Sequence, residues 1–281
     1  MSLYRKELQQ GDKAKWFCRS ILPFKGVYVS VNNQDLKVYL DGLLRVNEIS
    51  DYCPNGMQVE GVKDIANIVT GVTASQALID EAILRKADAI VVHHGYFWKG
   101  ESQCITGMKR QRLKSLIEND INMYAYHLPL DVHPELGNNR QLADLLDIEN
   151  VAALSSVKPI GVVMQGEFPV AITAAELKDR LKAVLGRSIL LEGAEEREIK
   201  TLAWCTGGGQ GFIEQAADLG ADAFITGEVS EQTIHIAREQ NIAFYAAGHH
   251  ATERYGAKAL GEHIASQFDV TVDFVDINNP A

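Results

Sequence analysis

The residues best suited to chemistry in this chain are two adjacent histidines, His93 and His94, which follow the apolar run Ala89-Ile90-Val91-Val92 and are released by Gly95, a residue that can turn the backbone sharply. Such a run reads as a buried strand, and side chains at the carboxyl end of a strand in an open α/β sheet face the ligand crevice. Two neutral imidazoles there suit divalent cations; the alternative is a hydrogen-bonded His-His pair without an ion. Adjacent side chains on a regular strand point to opposite faces, so the pair converges only where the strand ends, and then suits two ions better than one. Asp131 stands in His127-Leu128-Pro129-Leu130-Asp131-Val132-His133, again just after an apolar strand. His249 and Glu253 stand four apart, beyond the strand Ala243-Phe244-Tyr245-Ala246 and Gly248. If a helix starts at or just after Gly248, these two share a face about 5–6 Å apart at Cβ; the plainer alternative is a solvated first turn with Glu253 near the positive end of the dipole. Five mixed donors on converging elements, His93, His94, Asp131, His249 and Glu253, are what a site for two divalent ions requires.

The elements that must position these donors follow from periodicity. Leu36, Val38, Tyr39, Leu40, Leu43 and Leu44 give an amphipathic first helix after a polar start at Asn32. Residues 57–61 and 65–72 read as strands, 74–86 as a helix and 108–119 as a basic amphipathic helix. A strand over 121–126, a short helix over 140–146, a strand over 160–168 and a strand over 188–191 follow, and Thr173-x-x-Glu176 forms a capping box opening a helix to Leu185. Residues 68–94 form a βαβ unit.

That unit recurs. Sliding the chain by 134 positions sets residues 72–90 against 206–224 without a gap, pairing Ala87-Asp88-Ala89 with Ala221-Asp222-Ala223 and placing Glu228 opposite His94. A slightly different offset pairs residues 121–125 with 242–246. The expected organisation is an arm over residues 1–31, a first α/β lobe of residues 32–150 plus 245–281, and a second over 151–244.

Composition bounds the rest. A chain of 281 residues with 46% hydrophobic content supports a full core. The formal net charge of −10 opposes non-specific attraction to nucleic acid. No apolar run approaches the roughly 20 residues of a spanning helix. Cys18, Cys53, Cys104 and Cys205 show no Cys-x-x-Cys spacing, which fits a reducing cytoplasm.

Several long strings resemble the bacterial YbgI group of the Nif-three-like family, whose members carry the label GTP cyclohydrolase I type 2 homologue. They are Ser50-Asp51-Tyr52-Cys53-Pro54-Asn55-Gly56-Met57-Gln58-Val59-Glu60-Gly61, His93-His94-Gly95-Tyr96-Phe97-Trp98-Lys99-Gly100-Glu101, His127-Leu128-Pro129-Leu130-Asp131-Val132-His133-Pro134-Glu135-Leu136-Gly137-Asn138-Asn139, Cys205-Thr206-Gly207-Gly208-Gly209-Gln210 and Gly248-His249-His250-Ala251-Thr252-Glu253-Arg254. The resemblance covers the chain from about Asn32 to its end. It implies two intertwined three-layer α/β/α lobes with a metal site in the crevice between them, two divalent ions per chain (Zn, Fe, Mn, Ni or Co), and a toroidal homohexamer. Carried over by position, the metal ligands are His93, His94, Asp131, His249 and Glu253. Glu228 and His235 resemble a motif bordering the site, with Glu228 an acid/base or a support for a ligand. His127 reads as a proton shuttle or a satisfied strand-end histidine, and His133 and His250 fall outside the ligand set. The Gly207-Gly208-Gly209-Gln210-Gly211 stretch reads as a tight turn or a weak anion site. Tyr96, Phe97 and Trp98 read as a stacking surface or as core or subunit contacts. The expected function is a dinuclear-metal hydrolase of a nucleotide or related heterocycle, with opening of the guanine imidazole ring of GTP the version the family label suggests. The alternative is a non-catalytic, metal-binding toroidal scaffold for metal handling or for nucleic-acid or protein interaction.

Overall fold

The computed structural model describes residues 30–281, so the expected N-terminal arm lies outside the described residues but for its last two positions. The body opens with β1 (Val31–Asn32) and α1 (Asn33–Leu43), where the Asn32 side chain accepts the Gln34 amide at 2.9 Å and caps the helix, and Leu36 and Leu40 are buried. Then come β2 (Gly56–Val59), β3 (Asp64–Ile65), β4 (Asn67–Thr73), α2 (Gln76–Leu84), β5 (Ala89–His94), α3 (Gly107–Glu118), β6 (Asn122–Ala125), the single turn α4 (Leu128–Asp131) and α5 (Asn138–Leu145). The chain continues through β7 (Glu149–Ala153), β8 (Met164–Thr173), α6 (Ala174–Leu185), β9 (Leu190–Glu192), β10 (Glu198–Cys205), α7 (Ile213–Asp218), β11 (Ala223–Thr226), α8 (Glu231–Glu239), β12 (Ala243–Ala246), α9 (His249–Gln267) and β13 (Thr271–Phe274).

Beside a short antiparallel pair of β1 and β3, two large sheets organise these elements. One has the order β13-β4-β5-β6-β2, parallel except for β2; the other has the order β7-β8-β10-β11-β12-β9, with β10, β11 and β12 parallel. Alternation along each strand sends side chains to opposite faces, and both faces are apolar. On β5, Ala89 and Val91 pack with Leu36, Leu40, Leu260 and Ile264 of α1 and α9, while Ile90 and Val92 pack with Leu78, Leu113 and Leu116 of α2 and α3. On β10, Leu202 and Trp204 join Leu177, Leu181 and Leu185 of α6, while Ala203 and Cys205 join Ile213 and Ala216 of α7. Each sheet is thus the middle of an α/β/α sandwich. The two are intertwined, because α9 follows β12 of one sheet yet lays Leu260 and Ile264 against the other.

The repeated segments have matching geometry. Ile68 faces Ala89 across β4 and β5, and Leu202 faces Ala223 across β10 and β11, the same register 134 positions later. The matched Ala-Asp-Ala strings have a common physical reason: Asp88 accepts the Ala66 and Asn67 amides, both at 2.8 Å, and Asp222 accepts the Lys200 and Thr201 amides at 3.0 and 2.8 Å. Each carboxylate, one residue before its own strand, ties that strand to its parallel neighbour.

Three local expectations shift. Residues 160–163 form a turn after the cis Lys158-Pro159 bond, so β8 starts at Met164 and runs on through Pro169, beside a register irregularity between Ile199 and Thr201 of β10 that accommodates the missing amide. Asp131 ends a helical turn rather than a strand. Gly95 has no positive φ; a Cβ there would lie 2.4 Å from both Ala125 Cβ and Gln58 Oε1, so close approach is what demands glycine.

Candidate metal centre

The carboxyl ends of β4, β5 and β6 and those of β10, β11 and β12 contribute to one crevice, and all five expected donors meet in it. His93 is fully buried at the end of β5, and its Nδ1–H donates to the Tyr126 carbonyl at 3.0 Å, which turns Nε2 toward the carboxylates of the crevice. That Nε2 lies 3.5 Å from Asp131 Oδ1 and 3.5 Å from Glu253 Oε1. His94, with Nδ1 3.1 Å from Thr73 Oγ1, points Nε2 at Glu253 Oε2 at 3.2 Å. His249 starts α9, donates from Nδ1 to Glu228 Oε1 at 2.7 Å, and brings Nε2 to 3.2 Å from the same Oε2. The i, i+4 placement of His249 and Glu253 on one helix face is therefore realised.

Glu253 divides its oxygens between two donor sets. His93, Asp131 and Glu253 form one set and His94, His249 and Glu253 another, each with ligand atoms within 4.8 Å of one another. Glu253 and Asp131 are only 2% and 6% exposed, an expensive burial of carboxylates unless cations compensate them. His93 Nε2 and Glu253 Oε2 are buried without a hydrogen bond despite these short separations. Ligand-type atoms gathered and buried, two of them without a hydrogen bond, fit a divalent cation, and the mixed imidazole and carboxylate set suits a transition metal or zinc.

The electrostatics agree. Burial works against charge on His93, but Asp131 and Glu253 outweigh it and push the imidazole up to about 9. Burial likewise opposes charge on His249, and Glu253 with Glu228 push it up to about 9. Burial drives His94 down to about 3. Burial also disfavours the Glu253 carboxylate, yet the surrounding imidazoles, His94 and His93 foremost, hold it well below the usual range. A cation entering here displaces protons from the raised imidazoles.

Neighbouring residues fix the donors. Asn138 donates to Asp131 Oδ1 at 2.9 Å and is itself held by the Gly256 amide at 2.9 Å. Gly207, at φ +66°, passes so close that a Cβ would lie 2.0 Å from Glu253 Oε1. The glycine-rich stretch is thus a tight turn whose missing side chain leaves room for a donor. Glu228 touches His249 and Gln210. His235 lies on α8 beside Glu231, His133 accepts the Glu135 and Leu136 amides, and His250 pairs with Asp276; none of these three joins a donor set among the described residues. Tyr96 is buried and donates to the Ala74 carbonyl, Phe97 lies under Lys109, and Trp98 packs edge-on against His127. His127 stands beside the centre, paired with Asp51.

Two intertwined α/β/α sandwiches closing on a crevice of imidazoles and carboxylates mark a distinct kind of protein, and the comparison of sequences gives that kind a name. The family profile described as Duf34/NIF3 (NGG1p interacting factor 3) matches residues 31–280, and the chain belongs to that family. Among its relatives, a "GTP cyclohydrolase 1 type 2 homolog" of Yersinia pestis is 58% identical over 252 residues, covering 89% of this chain and 100% of the relative. A solved structure described as protein ybgI of unknown function superposes with a TM-score of 0.83 at 55% identity, covering 89% of this chain and 100% of that one. The crystal structure of TTHA1606 from Thermus thermophilus gives a TM-score of 0.80 at 32% identity, with 89% and 100% covered.

Proposed function

We propose that the protein is a dinuclear-metal-dependent hydrolase acting on a nucleotide or related heterocycle, in the manner the cyclohydrolase label of its relatives suggests. The observation that carries this reading is the Glu253 carboxylate, whose two oxygens each face a separate set of donors. His93 and Asp131 would hold one ion, His94 and His249 the other, and Glu253 both; Zn, Fe, Mn, Ni and Co all suit such ligands. When bound, the ions supply Lewis acidity that acidifies water and polarises the group attacked. The chain's own residues orient the centre: the Tyr126 carbonyl and Glu228 fix the tautomers of His93 and His249, and Asn138 holds the Asp131 carboxylate. Glu228 acts through His249 in this reading, as a positioning group. We further infer a toroidal homohexamer working in the cytoplasm; among the described residues no helix is long and apolar enough to cross a membrane.

The test is formate release from GTP and turnover of a small nucleotide panel by protein reconstituted separately with Zn, Mn and Fe(II), beside Glu253→Ala and Glu253→Gln. Metal-dependent turnover that disappears in both variants is expected, with metal content reduced. Protein holding two ions per chain that turns over nothing in the panel, yet binds DNA in a salt-dependent way, would replace the hydrolase with an interaction scaffold.

A further inference from the structure

His127 follows β6, and its Nδ1–H donates to Asp51 Oδ1 at 2.7 Å. The Asp51 side chain is 3% exposed and fully engaged: Oδ1 also accepts the Tyr52 amide at 2.6 Å, while Oδ2 accepts the Leu128 amide at 2.9 Å and Asn55 Nδ2 at 2.8 Å. Asn55 Oδ1 in turn receives the His127 amide at 2.7 Å. Asp51, Cys53 and His127 have potential ligand atoms within 4.8 Å of one another, but they do not make a third ion site. Four hydrogen bonds occupy the Asp51 carboxylate and use all of its acceptor positions, which leaves none for a cation.

The imidazole is left with one ring nitrogen, Nε2, outside this cradle. Its ring centroid lies 5.1 Å from that of His93, 5.8 Å from His94 and 4.8 Å from Trp98, which stands edge-on to it. A ring nitrogen of each of His93, His94 and His127 falls within 4.8 Å of the others, yet His127 belongs to neither donor set built on Glu253. It stands beside two of the donors, His93 and His94, oriented by a carboxylate that is itself immobilised. This is the geometry of a base with an orienting partner.

We propose that His127, positioned by Asp51, is the proton-transfer residue of the centre; the inference rests on the hydrolytic reading above. As water attacks, its O–H bond breaks and the proton passes to Nε2, while the oxygen bonds to the attacked carbon. The bond from that carbon to the leaving nitrogen breaks with its electron pair on nitrogen, and the proton moves from Nε2 to that nitrogen. One water is added across the bond and His127 ends as it began. Asp51 keeps its charge throughout and steadies the imidazolium.

The test uses zinc-loaded wild type, Asp51→Asn, His127→Gln and, as a ligand control, His94→Ala. Metal content equal to wild type is expected in the first two variants and reduced content in the control. A downfield ring N–H proton resonance present in wild type should vanish in both Asp51→Asn and His127→Gln. On any substrate the wild type turns over, kcat should fall about 10²–10⁴-fold in His127→Gln with KM little changed. Loss of metal in His127→Gln would make His127 a ligand and overturn the proposal, as would retained kcat. If wild type turns over nothing, the hydrolytic reading fails, and the placement of His127 is then judged by inorganic phosphate binding to the zinc-loaded protein. Affinity weakened tenfold or more in His127→Gln supports contact with the bound group; unchanged affinity overturns it.

Discussion

Glu253 can face two donor sets only because neighbouring residues leave it room and hold its partners still. Gly207→Ala would place a methyl 2.0 Å from Glu253 Oε1, on a backbone at φ +66° that alanine adopts reluctantly. We expect a loss of about 1–3 kcal/mol in stability, the usual cost of overpacking, together with reduced metal content. Thermal melts and metal analysis check this, and wild-type metal content would mean that the loop gives way without moving the carboxylate. Asn138→Ala removes the amide that orients Asp131 without touching a ligand. Loss of such a supporting hydrogen bond typically costs about 10–100-fold in metal affinity, so a metal titration should show that drop while the circular dichroism spectrum stays native.

At the scale of elements, the two Ala-Asp-Ala strings act as equivalent latches. Asp88→Ala and Asp222→Ala each leave two backbone amides without their acceptor, and Asp222→Ala also the Thr201 hydroxyl, at about 1–3 kcal/mol for unsatisfied groups, with the lower end applying where water reaches them. Denaturant unfolding should return similar losses for the two; a large inequality would show that the matched registers do not carry matched energetics. Asp222 adds a pH signature. Burial opposes its charge, but the Thr201 and Lys200 amides outweigh burial and hold the carboxyl below its ordinary value. A depressed folded pKa contributes stability that is complete above the unfolded value of about 3.9 and is lost as pH falls through the lower folded value. Asp222→Asn should therefore show a smaller loss of stability than wild type between about pH 4 and pH 2, measured by urea midpoints across that range.

For the whole molecule, the crevice exists because the chain passes between two sheets. β5 and α4 bring His93, His94 and Asp131 from one side, and α9 brings His249 and Glu253 from the end of β12 on the other before returning to the first sheet. Asn139 fixes α5 to the second sheet, in whose core Leu142 and Ala143 also pack: its side chain accepts the Thr206 amide and donates to the Gly161 and Val162 carbonyls, while its own carbonyl accepts from Trp204. Assembly is a separate expectation. Light scattering of the purified protein should give the mass of six chains, and a monomer or dimer at micromolar concentration would remove the toroid.

The class of fold and the kinds of donor residue that meet in the crevice were legible in the chain before any folding was considered. Unbroken apolar runs ending in histidine, the capping box at Thr173 and the repeated Ala-Asp-Ala strings report local forces, namely burial, capping and latching, that act within a few residues. His249 and Glu253 were legible together because a helix brings positions four apart onto one face. Asn138, Gly207 and Asp51 were not legible as parts of the site, because each acts on a partner far along the chain or depends on the exact path of a loop: Asn138 through Gly256 and Asp131, Gly207 through Glu253, and Asp51 through His127. β13 was likewise missed, since four residues after a long helix carry too little pattern, and only the exposed edge of β4 makes them a strand. That the two oxygens of one glutamate face different donor sets emerges only once the sheets are packed together. The arrangement depends on burial and distance across two sheets, and no spacing along the chain encodes either.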